Sequence, residues 1–178
     1  MRTLQLFLLG LLLGTTPPAA AQRTAGEKLD DGTLTARVNI ALLEQSAKDA
    51  TSISVTTEGG LVQLSGWAKD EATRERAGRV ARGVDSVKEV SNRLVVFDEK
   101  RSAGRTLDDS ILSSRVKKAL SDSDAVKASR VKVHVRAGVV ALAGFAASYA
   151  ERDAAVEIAT RTEGVDRVIN VIDVVAGA

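Results

Sequence analysis

Basic residues alternate with valines in the stretch RVKVHVRAGVVALAGF, residues 130–145 of the chain. Successive side chains of an extended strand leave on opposite faces, so Arg130, Lys132, His134 and Arg136 are predicted to share one face. The intervening valines form the other face, which is typical of a strand that covers a core. We expect the basic face to be solvent-exposed and positive. The chemistry of such a face is the electrostatic attraction of anions.

The sequence offers no ligand set for a metal around His134. It is the only histidine, the chain has no cysteine, and no compact carboxylate cluster accompanies it, so a transition metal would lack its usual ligands. The charge of His134 is instead expected to rise in a mildly acidic compartment and to add to the positive face. No glycine-rich phosphate loop is present, and Ser148 has no histidine placed by sequence to activate it. We expect no enzyme activity, no metal and no cofactor.

Residues 1–21 have the features of a secretory signal peptide. Arg2 precedes an apolar run, two prolines end the run, and three alanines precede Gln22. An uncleaved membrane anchor is the less favoured alternative, because the run is roughly half the length needed to span a bilayer. We therefore predict an exported chain that is not an integral membrane protein. Without cysteine it carries neither a lipid on a cysteine nor a disulfide.

The overall charge of the chain is close to neutral. It has 25 Lys and Arg residues against 23 Asp and Glu residues, for a formal net charge of +2. This balance is not that of a nucleic-acid-binding protein, so we expect no nucleic acid partner. Any electrostatic function must come from the local placement of charge.

The chain contains an internal repeat. A shift of 78 residues aligns residues 29–97 with residues 107–175 without a gap, and 24 of the 69 aligned positions are identical. We interpret these segments as two domains of one fold, joined by the polar linker 98–106. In the most similar part, GLVQLSGWA (residues 60–68) aligns with GVVALAGFA (residues 138–146). Trp67 and Phe145 occupy equivalent positions there and are expected to cover one end of each core.

Each copy predicts the order helix, strand, strand, helix, strand. An apolar stripe at helical spacing follows the acid pairs Asp30-Asp31 and Asp108-Asp109, which are predicted to cap the first helix. Two alternating segments around a glycine-bearing turn predict an antiparallel hairpin. The third strand is expected to run parallel to the second through a right-handed crossover. The predicted fold class is α+β: two tandem domains, each a small three-stranded mixed sheet packed against two helices.

This ordered set of motifs resembles the BON-domain family, named for bacterial osmotically inducible and nodulation proteins. The G-[LV]-V-x-L-x-G hairpin, the alanine-rich second helix and the closing V-x-N-x-[LI]-x-V strand carry the resemblance in both copies. Two tandem copies are similar to the OsmY-like periplasmic proteins, whereas lipoprotein members carry an N-terminal cysteine that this sequence lacks. The resemblance implies a non-enzymatic periplasmic module that associates with phospholipid surfaces and supports the cell envelope under osmotic stress. It also implies, for some members, chaperoning of exported proteins.

The two copies differ in the charge on the outward face of the first strand. Small polar residues and Glu58 of the first copy align with the four basic residues of the second, and an apolar strip on the neighbouring strands borders the basic face. This combination suits the headgroup region of an anionic membrane, where each well-placed cation contributes about 1 kcal/mol. Three cations of the first helix form a separate candidate. The predicted lipid-binding residues are Arg130, Lys132, His134, Arg136, Arg115, Lys117 and Lys118.

Other interpretations of these residues remain open. Charged residues on an exposed strand also discourage edge pairing, and the apolar strip is equally suited to packing the two domains together. The cations of the first helix are also typical of a solvated helix face. A protein partner would make the chain a chaperone-like or scaffold protein that binds exported polypeptides, which is the competing function.

Overall fold

The computed structural model describes residues 25–97 and 109–175. The predicted signal peptide, residues 1–21, and the predicted linker, residues 98–106, lie outside the described residues. The described helices and strands form two domains, one in each range.

The first domain begins with its longest helix and ends with a strand in two pieces. Its elements are α1 (Ala25–Gln45), α2 (Ala47–Ala50), β1 (Ile53–Glu58), β2 (Leu61–Ala68), α3 (Glu71–Arg82), β3 (Glu89–Asn92) and β4 (Val95–Val96). The second domain repeats this order, with a short 3₁₀ helix at Ala128–Arg130. Its elements are α4 (Asp109–Ser121), β5 (Val131–Arg136), β6 (Val139–Ala146), α5 (Tyr149–Arg161) and β7 (Arg167–Val174).

Each domain has a mixed sheet in which the middle strand pairs with both neighbours. β1 and β2 form an antiparallel hairpin, and β5 and β6 repeat it with Val133 opposite Leu142. β7 runs parallel to β6, and the equivalent strand of the first domain is split into β3 and β4, both parallel to β2. The predicted α+β fold of two tandem domains is therefore confirmed. The structure adds the one-turn helix α2 and the break between β3 and β4.

The helices cover one face of each sheet. The first helix of each domain buries three large apolar residues, none more than 5 % exposed: Leu34, Val38, Leu42, Leu112, Val116 and Leu120. Burying each such side chain contributes about 1.5–3 kcal/mol, which fixes the helix on the sheet. The second helix buries alanines instead, and their short side chains let its backbone lie close to the strands: Ala77, Ala81, Ala155 and Ala159.

Asp31 does not cap the first helix as predicted, because its carboxylate binds the hairpin turn. Asp31 lies inside α1, and its carboxylate accepts hydrogen bonds from the backbone N–H groups of Gly59 (2.8 Å) and Gly60 (3.1 Å). The first helix thus satisfies the free donors of the turn and holds it in place.

The second domain uses the same contact. Asp109 accepts hydrogen bonds from the backbone N–H groups of Ala137 (2.9 Å) and Gly138 (3.3 Å). Asp108, which precedes the first residue of α4, lies outside the described residues, so the cap predicted there stays a prediction. For Asp31 the prediction was wrong because an acid beside free N–H groups suits a tight turn as well as a helix start, and sequence alone does not show which turn lies nearby.

Candidate functional site

The two sheets pack against each other through the faces that the helices leave uncovered. On β2, Gln63 and Ser65 point away from the helices and are nonetheless fully buried. On β6, the outward Ala141 and Ala143 are also fully buried, and the two strands contact each other. The molecule therefore has four layers in the order helices, sheet, sheet, helices. Of the open interpretations of the apolar strip, the packing of the two domains is the one that the structure shows.

Two aromatic residues extend this layer between the sheets. Trp67 and Phe145 are 8 % and 1 % exposed, and neither belongs to the helix-covered core of its own domain. The ring of Trp67 lies 5.2 Å from that of Phe97, in an edge-to-face arrangement. The expectation that these aromatics cover the ends of the domain cores was therefore wrong. Both are buried on the side of the sheet that faces the other domain.

Gln63 joins the two middle strands. Its side-chain carbonyl accepts a hydrogen bond from the Gly144 N–H (2.6 Å), and its amide donates to the Gly144 carbonyl (3.0 Å). The amide also donates to the carbonyl of Val171 (3.2 Å) and to Asp173 Oδ2 (2.7 Å). Both polar atoms of this buried side chain therefore have partners in the second domain. Such a fully satisfied network fixes the register of the contact.

The close approach at Gly144 depends on the absence of a side chain. Gly144 has a φ of 101°, and a Cβ atom there would collide with the carbonyl oxygen of Arg130. The equivalent Gly66 has a φ of 108°, and a Cβ atom there would collide with the carbonyl oxygen of Ser52. Only glycine adopts this conformation without strain. Both hairpins therefore keep the glycine, and one of the two also binds the other domain.

Asp173 is an anion of the second domain that the first domain stabilises. Its carboxylate accepts hydrogen bonds from Ser91 Oγ (2.6 Å) and Arg93 Nε (3.0 Å) in addition to Gln63. Burial opposes its charge, but the hydrogen bonds from Arg93, Ser91 and Gln63 outweigh burial and hold the pKa of Asp173 below its usual range. The charge on Asp173 is therefore part of the contact.

Arg130 and Arg136 do not lie on an exposed face. The guanidinium of Arg130 forms an ion pair with Glu58 of the first domain, and the two side chains are 14 % and 6 % exposed. The guanidinium carbon of Arg136 lies 4.6 Å above the ring centre of Phe97, which is a favourable cation–π geometry. The expectation of a solvent-exposed positive strand face was wrong for these two residues, because the first domain covers that face.

His134 is enclosed in the same layer. Its Nε2 lies 3.1 Å from Ser65 Oγ of the first domain. Burial, followed by the charges of Lys117 and Lys132, lowers the pKa of His134 from 6.5 to about 4. The expectation that His134 becomes charged in a mildly acidic compartment was therefore wrong, and the neutral ring belongs to the domain contact.

The other four predicted lipid-binding residues lie on the surface: Lys132, Arg115, Lys117 and Lys118. Lys117 and Lys132 line one cleft of about 600 Å³ beside His134. Arg115 and Lys118 line a separate shallow depression of about 350 Å³ on α4, together with Ile111. The structure thus divides the predicted set between a domain contact and two exposed sites.

Arg115 and Lys118 of α4 form ion pairs that are exposed to solvent, so both cations remain accessible to other anions. Arg115 lies 3.9 Å from Glu163, and Lys118 lies 2.6 Å from Asp122. Exposed pairs of this kind contribute about 0–1 kcal/mol, so another anion can replace the carboxylate.

Sequence reasoning missed Gln63, Ser65 and Asp173 as contact residues. A signal for the first two was present, because Gln63 and Ser65 align with Ala141 and Ala143 on otherwise matching strands. Two polar residues against two small apolar ones, on the outward side of the middle strands, are typical of complementary surfaces. No comparable signal marks Asp173, which aligns with Val95 at the end of the repeat.

Two further observations concern membrane-spanning helices and metal-binding groups in the described part of the chain. Within residues 25–97 and 109–175, no helix combines the length and the apolar character that a membrane crossing requires. The same residues contain no group of three or more acidic or histidine side chains arranged to hold a metal ion.

Comparison with known proteins identifies the family. The BON domain profile matches residues 30–97 and 108–176. The chain belongs to the BON-domain family. The predicted membership is thus confirmed, and the match covers both halves of the four-layer molecule.

Three curated relatives share most of the chain. Osmotically-inducible protein Y of Escherichia coli is 36 % identical over 163 residues, which cover 88 % of this chain and 81 % of that protein. A 21 kDa hemolysin of Actinobacillus pleuropneumoniae is 36 % identical over 154 residues, covering 86 % and 78 %. The outer membrane lipoprotein DolP of Haemophilus influenzae is 33 % identical over 154 residues, covering 86 % and 79 %.

Replacing Gln63 by alanine is expected to loosen the contact between the domains. The change removes the two hydrogen bonds between Gln63 and Gly144 from a fully buried layer, which costs about 1–3 kcal/mol. Trp67 is the only tryptophan, so its fluorescence reports on this layer, and we expect red-shifted emission and a lower urea midpoint. The control is Gln45→Ala on the exposed end of α1. Equal behaviour of the two variants would contradict the role assigned to Gln63.

The partly buried, neutral His134 predicts a specific pH dependence of stability. Between pH about 6.5 and pH about 4 the unfolded chain binds a proton that the folded protein does not, so the free energy of unfolding falls as the pH falls. The pKa of His134 is 6.5 in the unfolded chain and about 4 in the folded protein. Over this whole range the free energy of unfolding therefore falls by roughly 3 kcal/mol. Urea unfolding across this window measures it. The dependence should weaken in His134→Gln, and an unchanged slope in that variant would show that the ring is not enclosed.

Proposed function

We propose that this protein is a periplasmic, non-enzymatic binding module that attaches reversibly to anionic phospholipid and supports the cell envelope under osmotic stress. Its membership of the BON-domain family supports this function. So do its similarities to an osmotically-inducible protein and to an outer membrane lipoprotein. The signal-peptide pattern of residues 1–21 supports export to the periplasm.

The observation that carries the membrane proposal is the outer face of α4. Ile111, Arg115 and Lys118 are four and three residues apart, so they share one side of the helix. The exposed fraction of Ile111 is 49 %, and those of the Arg115 and Lys118 side chains are 46 % and 75 %. An exposed apolar residue next to cations suits the boundary between lipid headgroups and acyl chains.

The sheet face is not the attachment surface in this account. The domains bury Arg130 and His134 against each other, so those residues would bind lipid only if the domains separated. Lys117 of α4 and Lys132 of β5 also remain exposed and add positive charge to the second domain. The attachment surface is therefore α4 with these two lysines at its border.

The strength of attachment follows from the number of cations. Each Lys or Arg near an anionic surface contributes on the order of 1 kcal/mol. Four cations engaged together would supply roughly 4 kcal/mol, which corresponds to a dissociation constant of about 1 mM. Shallow burial of Ile111 adds up to about 2 kcal/mol. The attachment is thus weak, reversible and sensitive to salt.

A second candidate function is the binding of exported polypeptides. The observation that favours it is on the first domain, where Ile40 and Leu43 of α1 are 55 % and 50 % exposed. Two apolar residues three positions apart on one helix face offer a contact for an unfolded chain.

Charge reversal on α4 tests the membrane proposal by co-sedimentation with vesicles. We expect Arg115→Glu with Lys118→Glu to weaken binding to phosphatidylglycerol-containing vesicles at least about tenfold. Neutral vesicles should bind neither protein. The matched control is Arg79→Glu with Arg82→Glu on α3, which changes the net charge equally on exposed positions.

Equal weakening in the two charge-reversed proteins would contradict a site on α4. The second candidate would be favoured by a different result: no vesicle binding, with suppressed aggregation of an unfolded client. In that case Ile40→Ser with Leu43→Ser should remove the suppression.

A further inference from the structure

A cleft of about 600 Å³ opens at the seam between the two domains. Ser54 of β1 contributes one side, and α4 and β5 with the segment before it contribute the rest. Its polar lining consists of two lysines, three serines and the single histidine: Lys117, Lys132, Ser54, Ser121, Ser129 and His134. Because Ser54 belongs to the first domain, the packing of the domains completes one side of the cleft.

The described residues that line this cleft carry a net positive charge. No acidic residue is among those that line it, and both Lys117 and Lys132 are exposed. Both ammonium groups are close enough to His134 to act on its protonation. Two positive charges that face one cavity repel each other, so an anion placed between them is stabilised by both.

The lining favours one class of anion. A phosphate group carries up to two negative charges and has several acceptor oxygens, which match two ammonium groups and three hydroxyl donors. The ammonium groups supply charge without the planar geometry that arginine uses for carboxylates. We propose that this cleft binds the phosphate group of a phosphoester, carried by a lipid headgroup or by a free small molecule.

This site goes beyond the proposed function. A free phosphoester would bind the cleft whether or not the protein attaches to a membrane, and the cleft is distinct from the Ile111 face of α4. The bound anion would also contact both domains, because Ser54 lies on one and both lysines lie on the other. Binding is therefore expected to stabilise the packed arrangement.

His134 provides a direct reporter of the occupied cleft. The ring is surrounded by Ser65 from β2, Lys132 from its own strand and Lys117 from α4. An anion between the two lysines offsets their charge, so the pKa of His134 should rise by about one unit on binding. As the only histidine, it gives a single resolved ring signal in NMR spectra.

Titration of the full chain with glycerol 3-phosphate, followed by NMR, tests the proposal. We expect saturable shifts at the amides of Lys117, Ser129 and Lys132, together with the rise in the His134 pKa. In Lys117→Gln with Lys132→Gln, binding should weaken at least about fivefold. Lys48→Gln with Lys69→Gln, on exposed positions away from the cleft, removes the same charge and should bind normally. Thermal melts check that both variants are folded.

Two outcomes would overturn the proposal. One is the absence of saturable shifts at the cleft, and the other is equal weakening in the two double variants. Either result leaves the vesicle test of α4 unaffected, so failure of the cleft and failure of the membrane proposal can be told apart.

A phosphatidylglycerol with short acyl chains, added below the concentration at which it forms micelles, identifies the source of the phosphate. If it shifts the amides of Lys117, Ser129 and Lys132 and displaces glycerol 3-phosphate, the cleft takes a lipid headgroup. If it leaves these amides unchanged while glycerol 3-phosphate binds, the cleft takes a free phosphoester.

Discussion

A small sheet with helices on one side leaves its other face to be covered, and in this protein each domain covers the sheet of the other. Gln63 and Gly144 exchange two hydrogen bonds at the centre of the contact, where the middle strands are fully buried. Water is excluded there, so a polar group without a partner would cost roughly 1–3 kcal/mol. The polar residues around the centre therefore pair across the seam, as Arg130 does with Glu58 and Asp173 does with Arg93.

This contact decides which charges are available for function. Cations on the sheet side of β5 stabilise the packed domains, and cations on α4 and at the rim of the seam remain in water. We therefore assign anion binding to α4 and to the rim of the seam, whose cations the domain contact leaves exposed. The same contact makes the two domains one unit, so a ligand at the seam and a membrane at α4 would meet a fixed arrangement of charges.

The sequence was sufficient for the elements, the duplication and the family, because core positions recur with the periods of helix and strand and the two copies support each other. The sequence did not show which residues surround Arg130, His134 and Arg136. Alternation shows that these residues share one side of a strand, but a period of two carries no information about what covers that side. Asp31 was misassigned for a related reason, since its acceptor role was predicted and its donors, Gly59 and Gly60, lie 28 and 29 residues away. The alignment of Gln63 and Ser65 with Ala141 and Ala143 was a partial signal that these faces pack against each other.

Residual dipolar couplings of the backbone N–H groups, measured on the full chain, test the packing of the two domains most directly. We predict that a single alignment tensor fits the couplings of residues 30–97 and 109–175 together, with the domains in the orientation that places Gln63 against Gly144. Two tensors of different magnitude would show that the domains move independently, and would contradict the contact on which the assignment of every charged residue rests.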